Sequence, residues 1–92
     1  MNEEFNKAIQ ICGGLTKLSR AIDMPVAFAW QIKEGKSRLP ERYGRRIFDA
    51  THGGVSLKKM FPDSWMNYWT DRDIEFLEKE ARERPNEGAG NE

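Results

Sequence analysis

The sequence predicts an all-α fold, a compact bundle of four to five short helices followed by a C-terminal helix and a disordered tail. Apolar residues recur at spacings of three and four along most of the chain, which is typical of helices with one buried face. Glycines and prolines interrupt these patterns at short intervals, so each helix is expected to be short. The length of 92 residues suits one small domain with a tail rather than two domains.

The first predicted helix covers residues 3–12. Its apolar residues fall on one face, which consists of Phe5, Ala8, Ile9 and Cys12. Gly13 and Gly14 end this helix, because glycine adopts positive φ angles without steric cost.

The second and third helices are predicted over residues 15–22 and 25–34. Leu15, Leu18 and Ile22 form the apolar stripe of the second helix. Pro25 separates the two helices, since proline fits the first turn of a helix and constrains the residue before it. Gly35 ends the third helix.

The rest of the chain predicts two further helices and one ambiguous segment. A fourth helix is expected over 41–51, and residues 55–62 fit either a strand or a helical turn. A final helix is expected over 71–84, because Thr70 and Asp73 have the spacing of a capping box. We therefore expect a helical domain over 1–65, an aromatic-rich segment and C-terminal helix over 66–84, and a disordered tail over 85–92.

Composition excludes several classes of function. One Cys cannot form an internal disulfide, which favours a cytoplasmic protein. One Cys and one His form neither a zinc cage nor a nucleophile–base set, so we expect no metal, cofactor, small-molecule substrate or enzymatic activity. No apolar run approaches the roughly 20 residues of a membrane span, and the acidic N-terminus is unlike a secretory signal.

Charge is distributed unevenly although the net charge is zero. Residues 1–65 carry 11 basic and 7 acidic side chains, whereas residues 66–92 carry 4 basic and 8 acidic ones. A basic region is expected of a nucleic-acid binder, because each neutralised phosphate releases a condensed counterion. A solvated charged surface is the alternative that charge alone leaves open.

Residues 15–35 have the plan of a helix-turn-helix, two helices joined by a turn of about four residues. In such a unit the second helix enters the major groove of DNA, which is wide enough for one helix. Packing of the pair would use Leu18, Ile22, Met24, Ala29 and Ile32. That packing leaves four residues facing outward, namely Val26, Ala27, Trp30 and Gln31. A competing phase, in which Met24, Phe28 and Ile32 share the buried face, stays open.

The chain resembles the Cro-like helix-turn-helix repressors of phage and prophage, in particular the YdaS group, which is described as antitoxins. The resemblance covers about residues 11–65 and is carried by Gly13-Gly14, Thr16, Leu18, Ala21, Ile22, Gln31, Gly35, Leu39-Pro40, Ile47, Ala50-Thr51, Gly53, Val55 and Pro62-Asp63. It implies a lambda-repressor-like helical domain without enzymatic activity. It also implies a transcriptional regulator in the cytoplasm of a bacterial host, which binds a double-stranded DNA operator as a homodimer.

The resemblance assigns roles to particular side chains. The base-reading positions are Val26, Ala27, Trp30 and Gln31, of which Gln31 could bond bidentately to adenine. The expected phosphate contacts are Thr16, Lys17, Lys33, Lys36, Arg38 and Arg42, with Arg45 or Arg46 as the alternative to Arg42.

The sequence leaves two alternatives open. The run Val26–Trp30 is apolar throughout, which also fits a protein-interaction module that binds a protein partner through the third helix. Trp65, Tyr68 and Trp69 either fold back over the bundle or form oligomer contacts, because interfaces are rich in Trp and Tyr.

Overall fold

The computed structural model describes residues 2–83, which contain six α-helices and two 3₁₀ turns joined by short loops. The α-helices are α1 (Glu3–Cys12), α2 (Leu15–Ala21), α3 (Val26–Lys33), α4 (Gly44–Ala50), α5 (Leu57–Met60) and α6 (Asp71–Glu83). The 3₁₀ turns cover Glu41–Tyr43 and Trp65–Asn67. No strand occurs between residues 2 and 83, so the predicted all-α fold is confirmed.

The C-terminal ends of α1 to α4 share one backbone arrangement. A residue in the left-handed region and its successor both donate N–H groups back to the helix. These left-handed residues are Gly13 (φ 92°), Asp23 (57°), Gly35 (78°) and His52 (54°). After α2, the N–H of Asp23 donates to Arg20 O (3.3 Å) and that of Met24 donates to Ser19 O (2.8 Å). Asp23 forms this turn because Asp tolerates positive φ better than most residues.

The core is a single cluster to which every α-helix contributes a buried apolar side chain. Its most deeply buried apolar members include Phe5, Leu18, Ile22, Ile47 and Leu57. Ser19 lies among them on α2, and its hydroxyl donates to Thr16 O at 2.9 Å, so this small polar group is satisfied.

The predicted fourth helix over 41–51 is divided in the structure. Glu41–Tyr43 form a 3₁₀ turn after Pro40, and α4 begins only at Gly44. Gly44 is buried, and a Cβ there would lie 2.6 Å from Phe61 Cε2 and 2.9 Å from Trp69 Cη2. The absence of a side chain at this position therefore lets the C-terminal aromatic residues approach the helix.

The ambiguous segment 55–62 contains the single turn α5, and Ser56 caps it by accepting the N–H of Lys59 at 3.2 Å. The capping box of α6 is confirmed. Thr70 Oγ1 accepts the N–H of Asp73, and Asp73 Oδ2 accepts the N–H of Thr70, both at 3.0 Å. Ile74 and Leu77 of α6 are buried in the common core. The predicted disordered tail over 85–92 lies outside the described residues.

Candidate nucleic-acid interface

The helices α2 and α3 and the turn between them lie where the sequence predicts a helix-turn-helix. Leu18 and Ile22 on the α2 side meet Ala29 and Ile32 of α3 in the core, and Met24 in the turn is also buried. Arg46 of α4 reinforces the turn, because its guanidinium donates to Ile22 O at 3.2 Å. The turn between α2 and α3 is therefore held by packing and by the side chain of Arg46 from α4.

One side of α3 faces solvent. Val26 is 45% exposed and Trp30 is 44% exposed, and both Ala27 and Gln31 are also exposed. Ala29 and Ile32 on the other side are fully buried. The four residues predicted to face outward therefore do so, while their contact with bases remains a prediction.

Phe28 settles which residues anchor α3. It is only half-buried, and its ring lies 6.5 Å from that of Tyr43, at an interplanar angle of 51°. Ala29 and Ile32 are thus the buried residues of α3, and Phe28 packs against the core beside Tyr43 of the 3₁₀ turn.

The loop after α3 folds back onto the helix. Gly35 adopts a φ of 78°, and the carbonyl of Gln31 accepts N–H groups from Lys36 (2.8 Å) and Ser37 (3.2 Å). The hydroxyl of Ser37 also donates to Gln31 Oε1 at 3.1 Å. The ammonium of Lys36 lies 4.8 Å from the centroid of the Trp30 ring, within the range of a cation–π interaction. Trp30 and Gln31, two of the residues predicted to read bases, therefore each contact a residue of this loop.

The predicted phosphate contacts differ in their surroundings. Lys33 pairs with Glu34 (3.0 Å) and Arg38 with Glu41 (2.6 Å), whereas Arg42 lies over the Tyr43 ring at 5.0 Å. In residues 2–83, Lys36 has no carboxylate within ion-pair distance. Thr16 and Lys17 are exposed on the first turn of α2. Lys33 thus lies at the end of α3, Lys36 and Arg38 in the loop that follows it, Arg42 in the 3₁₀ turn, and Thr16 and Lys17 on α2.

Glu41 links the basic loop to the C-terminal segment. Its Oε2 accepts hydrogen bonds from Arg38 Nη2 (2.6 Å) and from Ser64 Oγ (2.5 Å). The hydrogen bond from Ser64 is the main reason that the pKa of Glu41 lies below its ordinary value. The carboxylate is therefore ionised at neutral pH and forms an ion pair that partly neutralises the positive charge of Arg38.

The aromatic segment folds back over the bundle at two of its three positions. Trp65 and Trp69 are half-buried against the core, and Trp69 stacks on Phe61 with ring centroids 6.0 Å apart. Tyr68 remains 58% exposed. Oligomer contacts through these residues remain a prediction, in which Tyr68 offers the most accessible surface.

Sequence reasoning missed two polar residues that organise this region, Ser37 and Glu41. A signal for Ser37 was present, since a glycine that ends a helix brings the residues after it back to the last turn. No local pattern pairs Glu41 with Ser64, because the two residues are 23 positions apart.

No group of His, Cys, Asp and Glu side chains within residues 2–83 could hold a metal ion. None of the helices there combines the length and apolar character that crossing a bilayer requires.

Comparisons with known proteins give one family. The sequence model of the family described as bacterial toxin YdaS matches residues 5–68. The matched family is described as a toxin, whereas the YdaS group that the sequence resembles is described as antitoxins. No curated protein and no solved structure gives a significant match. The family match indicates a small phage-type regulator or toxin–antitoxin protein. Because the match spans well over half of its length, the chain belongs to the YdaS toxin family.

Proposed function

We propose that the chain is a non-enzymatic regulator that binds double-stranded DNA in a sequence-specific manner, with α3 in the major groove. The observation that carries this proposal is the two-sided character of α3. Ala29 and Ile32 anchor it against α2, while Val26, Ala27, Trp30 and Gln31 remain exposed. A helix that is supported on one side and free on the other can enter a groove wide enough for one helix.

The side chains on and around α3 divide into two chemical types. Gln31 offers both a donor and an acceptor to a base edge, and Val26 and Ala27 offer apolar contact to a thymine methyl group. Lys36, Arg38 and Arg42 follow in the adjoining loop and 3₁₀ turn, where cations can meet the phosphates that flank a groove. The first type would supply specificity and the second most of the affinity.

We expect the functional unit to be a homodimer. Two copies of α3 would then lie about 34 Å apart, in successive major grooves of a partly palindromic operator. The exposed Tyr68 supports a contact between copies, since exposed aromatic side chains are favoured at interfaces.

Fluorescence anisotropy with a labelled random duplex tests DNA binding directly. We expect micromolar affinity at low salt that falls steeply between about 50 and 200 mM salt, because bound cations displace counterions. The double variant Lys36→Ala/Arg38→Ala should weaken binding to all sequences and reduce the salt slope by about 2. The control variant Arg72→Ala/Lys79→Ala removes the same charge from α6 and should leave binding unchanged. Absence of binding by the intact chain at micromolar concentration would contradict the proposal.

Gln31→Ala tests the division of roles. This variant should lose preference for the operator and keep its affinity for random DNA, because it removes a base contact and no charge. If Gln31→Ala and Lys36→Ala/Arg38→Ala behaved alike on all sequences, the division would be wrong.

A second candidate function is a protein-interaction module on the same fold. The observation that favours it is the apolar character of the exposed side of α3, where Val26 and Trp30 are each almost half exposed. Such residues are typical anchors at protein interfaces. The same titration separates the candidates, since an interaction module would bind neither random DNA nor an operator.

A further inference from the structure

Gln31 and Ser37 are joined by two hydrogen bonds, one between backbone atoms and one between side chains. The N–H of Ser37 donates to Gln31 O at 3.2 Å, and its hydroxyl donates to Gln31 Oε1 at 3.1 Å. A further N–H, that of Lys36, donates to the same carbonyl at 2.8 Å. The backbone bonds fix the position of Ser37 relative to α3, so its hydroxyl meets the amide of Gln31 in a defined place.

The hydroxyl of Ser37 restrains the Gln31 amide at one place beside α3. A serine hydroxyl both donates and accepts, so it fixes the position of the amide rather than the order of its two ends. In the structure the oxygen faces Ser37, and no hydrogen bond to another residue of the described chain occupies the nitrogen. The amide therefore keeps both N–H donors and one lone pair of its oxygen for a ligand.

A glutamine amide pairs bidentately with one purine in particular. Adenine presents a donor beside an acceptor in the major groove, the N6 amino group and N7, whereas guanine presents two acceptors, O6 and N7. A fixed amide with one free lone pair and a free N–H matches adenine. An amide that Ser37 already holds in place loses less side-chain freedom on pairing with adenine than an amide that is not held.

We propose that Ser37 is a specificity-determining positioning residue, which holds the Gln31 amide in place and so strengthens its preference for adenine at one position of the operator. The inference rests on the proposed DNA-binding function. Ser37 itself need not touch the DNA, and its effect passes through Gln31. The substitution Ser37→Ala removes the hydroxyl, while Ser37→Thr retains it.

The experiment is selection of bound duplexes from a randomised pool, followed by sequencing, with the full chain and its Gln31→Ala, Ser37→Ala and Ser37→Thr variants. The unmodified chain should show an adenine-preferring position that Gln31→Ala abolishes. Ser37→Ala should lower the enrichment of adenine over guanine there by about 3- to 10-fold, part of the discrimination typical of a bidentate pair. Ser37→Thr should retain the enrichment.

Two further readouts separate this role from a structural one. Affinity for a random duplex and its salt slope should be the same for the Ser37 variants as for the unmodified chain, since no charge changes. The melting temperature should stay within about 3 °C, because Ser37 makes no buried contact whose loss would destabilise the fold.

The outcomes are distinct for the two proposals. If the unmodified chain binds no DNA, the proposed function fails and this inference fails with it. If the chain selects an operator and Ser37→Ala keeps the same purine preference, this inference alone is overturned. A loss of preference at every operator position in Ser37→Ala would also overturn it, since that result indicates a general change in the interface.

Discussion

The guanidinium of Arg38 lies 2.6 Å from the carboxylate of Glu41, at the point where the loop after α3 leads into the 3₁₀ turn before α4. Arg38 is largely exposed, whereas the Glu41 side chain is mostly covered and also accepts the hydroxyl of Ser64. A cation of the proposed DNA-binding surface is therefore paired with an acid in the free protein. DNA phosphate would have to compete with that acid for Arg38.

We predict that Glu41→Gln strengthens binding to random duplex DNA several-fold. The change removes a negative charge near the proposed interface and releases Arg38, while the glutamine oxygen can still accept the hydrogen bond from Ser64. Fluorescence anisotropy at several salt concentrations measures the effect, and the salt slope should become steeper by up to about 1. The matched control is Glu75→Gln on α6. Weaker or unchanged binding by Glu41→Gln would count against the competition.

The same carboxylate predicts a loss of stability in acid. The pKa of Glu41 lies below its ordinary value of 4.5 in the folded chain, mainly because Ser64 donates to the carboxylate and secondarily through its own backbone and Arg38. The ionised group therefore stabilises the fold above pH 4.5, and this contribution is lost as the pH falls through the lowered value. Urea unfolding at pH 3 to 7 should show a stability difference between the unmodified chain and Glu41→Gln that shrinks in acid. A difference independent of pH would contradict this assignment.

A third prediction concerns the turn between α2 and α3. Asp23 has a φ of 57°, a conformation that glycine adopts without strain. We expect Asp23→Gly to be neutral or to stabilise the fold by up to about 1 kcal/mol, since relief of strain is partly offset by the greater freedom of the unfolded chain. Asp23→Val should destabilise it, because β-branched residues tolerate positive φ poorly. Thermal unfolding measures both variants, and equal melting temperatures for the glycine and valine variants would show that the turn is unstrained.

A fourth prediction concerns Gly44. Helix propensity alone favours alanine over glycine by about 1 kcal/mol. A Cβ at this position would nevertheless lie 2.6 Å from Phe61 Cε2, so we expect Gly44→Ala to destabilise the fold by about 1–3 kcal/mol. Arg45→Ala on the same helix loses only a surface ion pair with Asp49 and should cost less than about 0.5 kcal/mol. Urea unfolding distinguishes these outcomes, and a stabilised Gly44→Ala would mean that the aromatic residues move aside.

Local sequence signals predicted where several helices begin and end. Gly13 and Gly35 end helices, and the Thr70–Asp73 capping box starts one, because each acts through backbone groups within a few residues. The close approach of Phe61 and Trp69 to Gly44 could not be foreseen, because these residues come from distant parts of the chain.

The candidate site was predicted only in part, for a related reason. The outward side of α3 follows from the packing of Ala29 and Ile32, which periodicity suggests although Phe28 offered a competing phase. The hydrogen bonds that organise the site were not predicted. The contact of Gln31 with Ser37 spans six positions and that of Glu41 with Ser64 spans 23, so neither follows from helical spacing.

The two-sided character of α3 has a consequence for how the protein can change over evolutionary time. Its attachment to the domain depends on Ala29, Ile32 and the edge of Phe28, and the outward residues contribute little to the core. Under the proposed function, a descendant could acquire a different target through a few surface substitutions without compensating changes in the interior. The same separation would allow a library randomised at Val26, Ala27, Trp30 and Gln31 to yield folded proteins with new preferences.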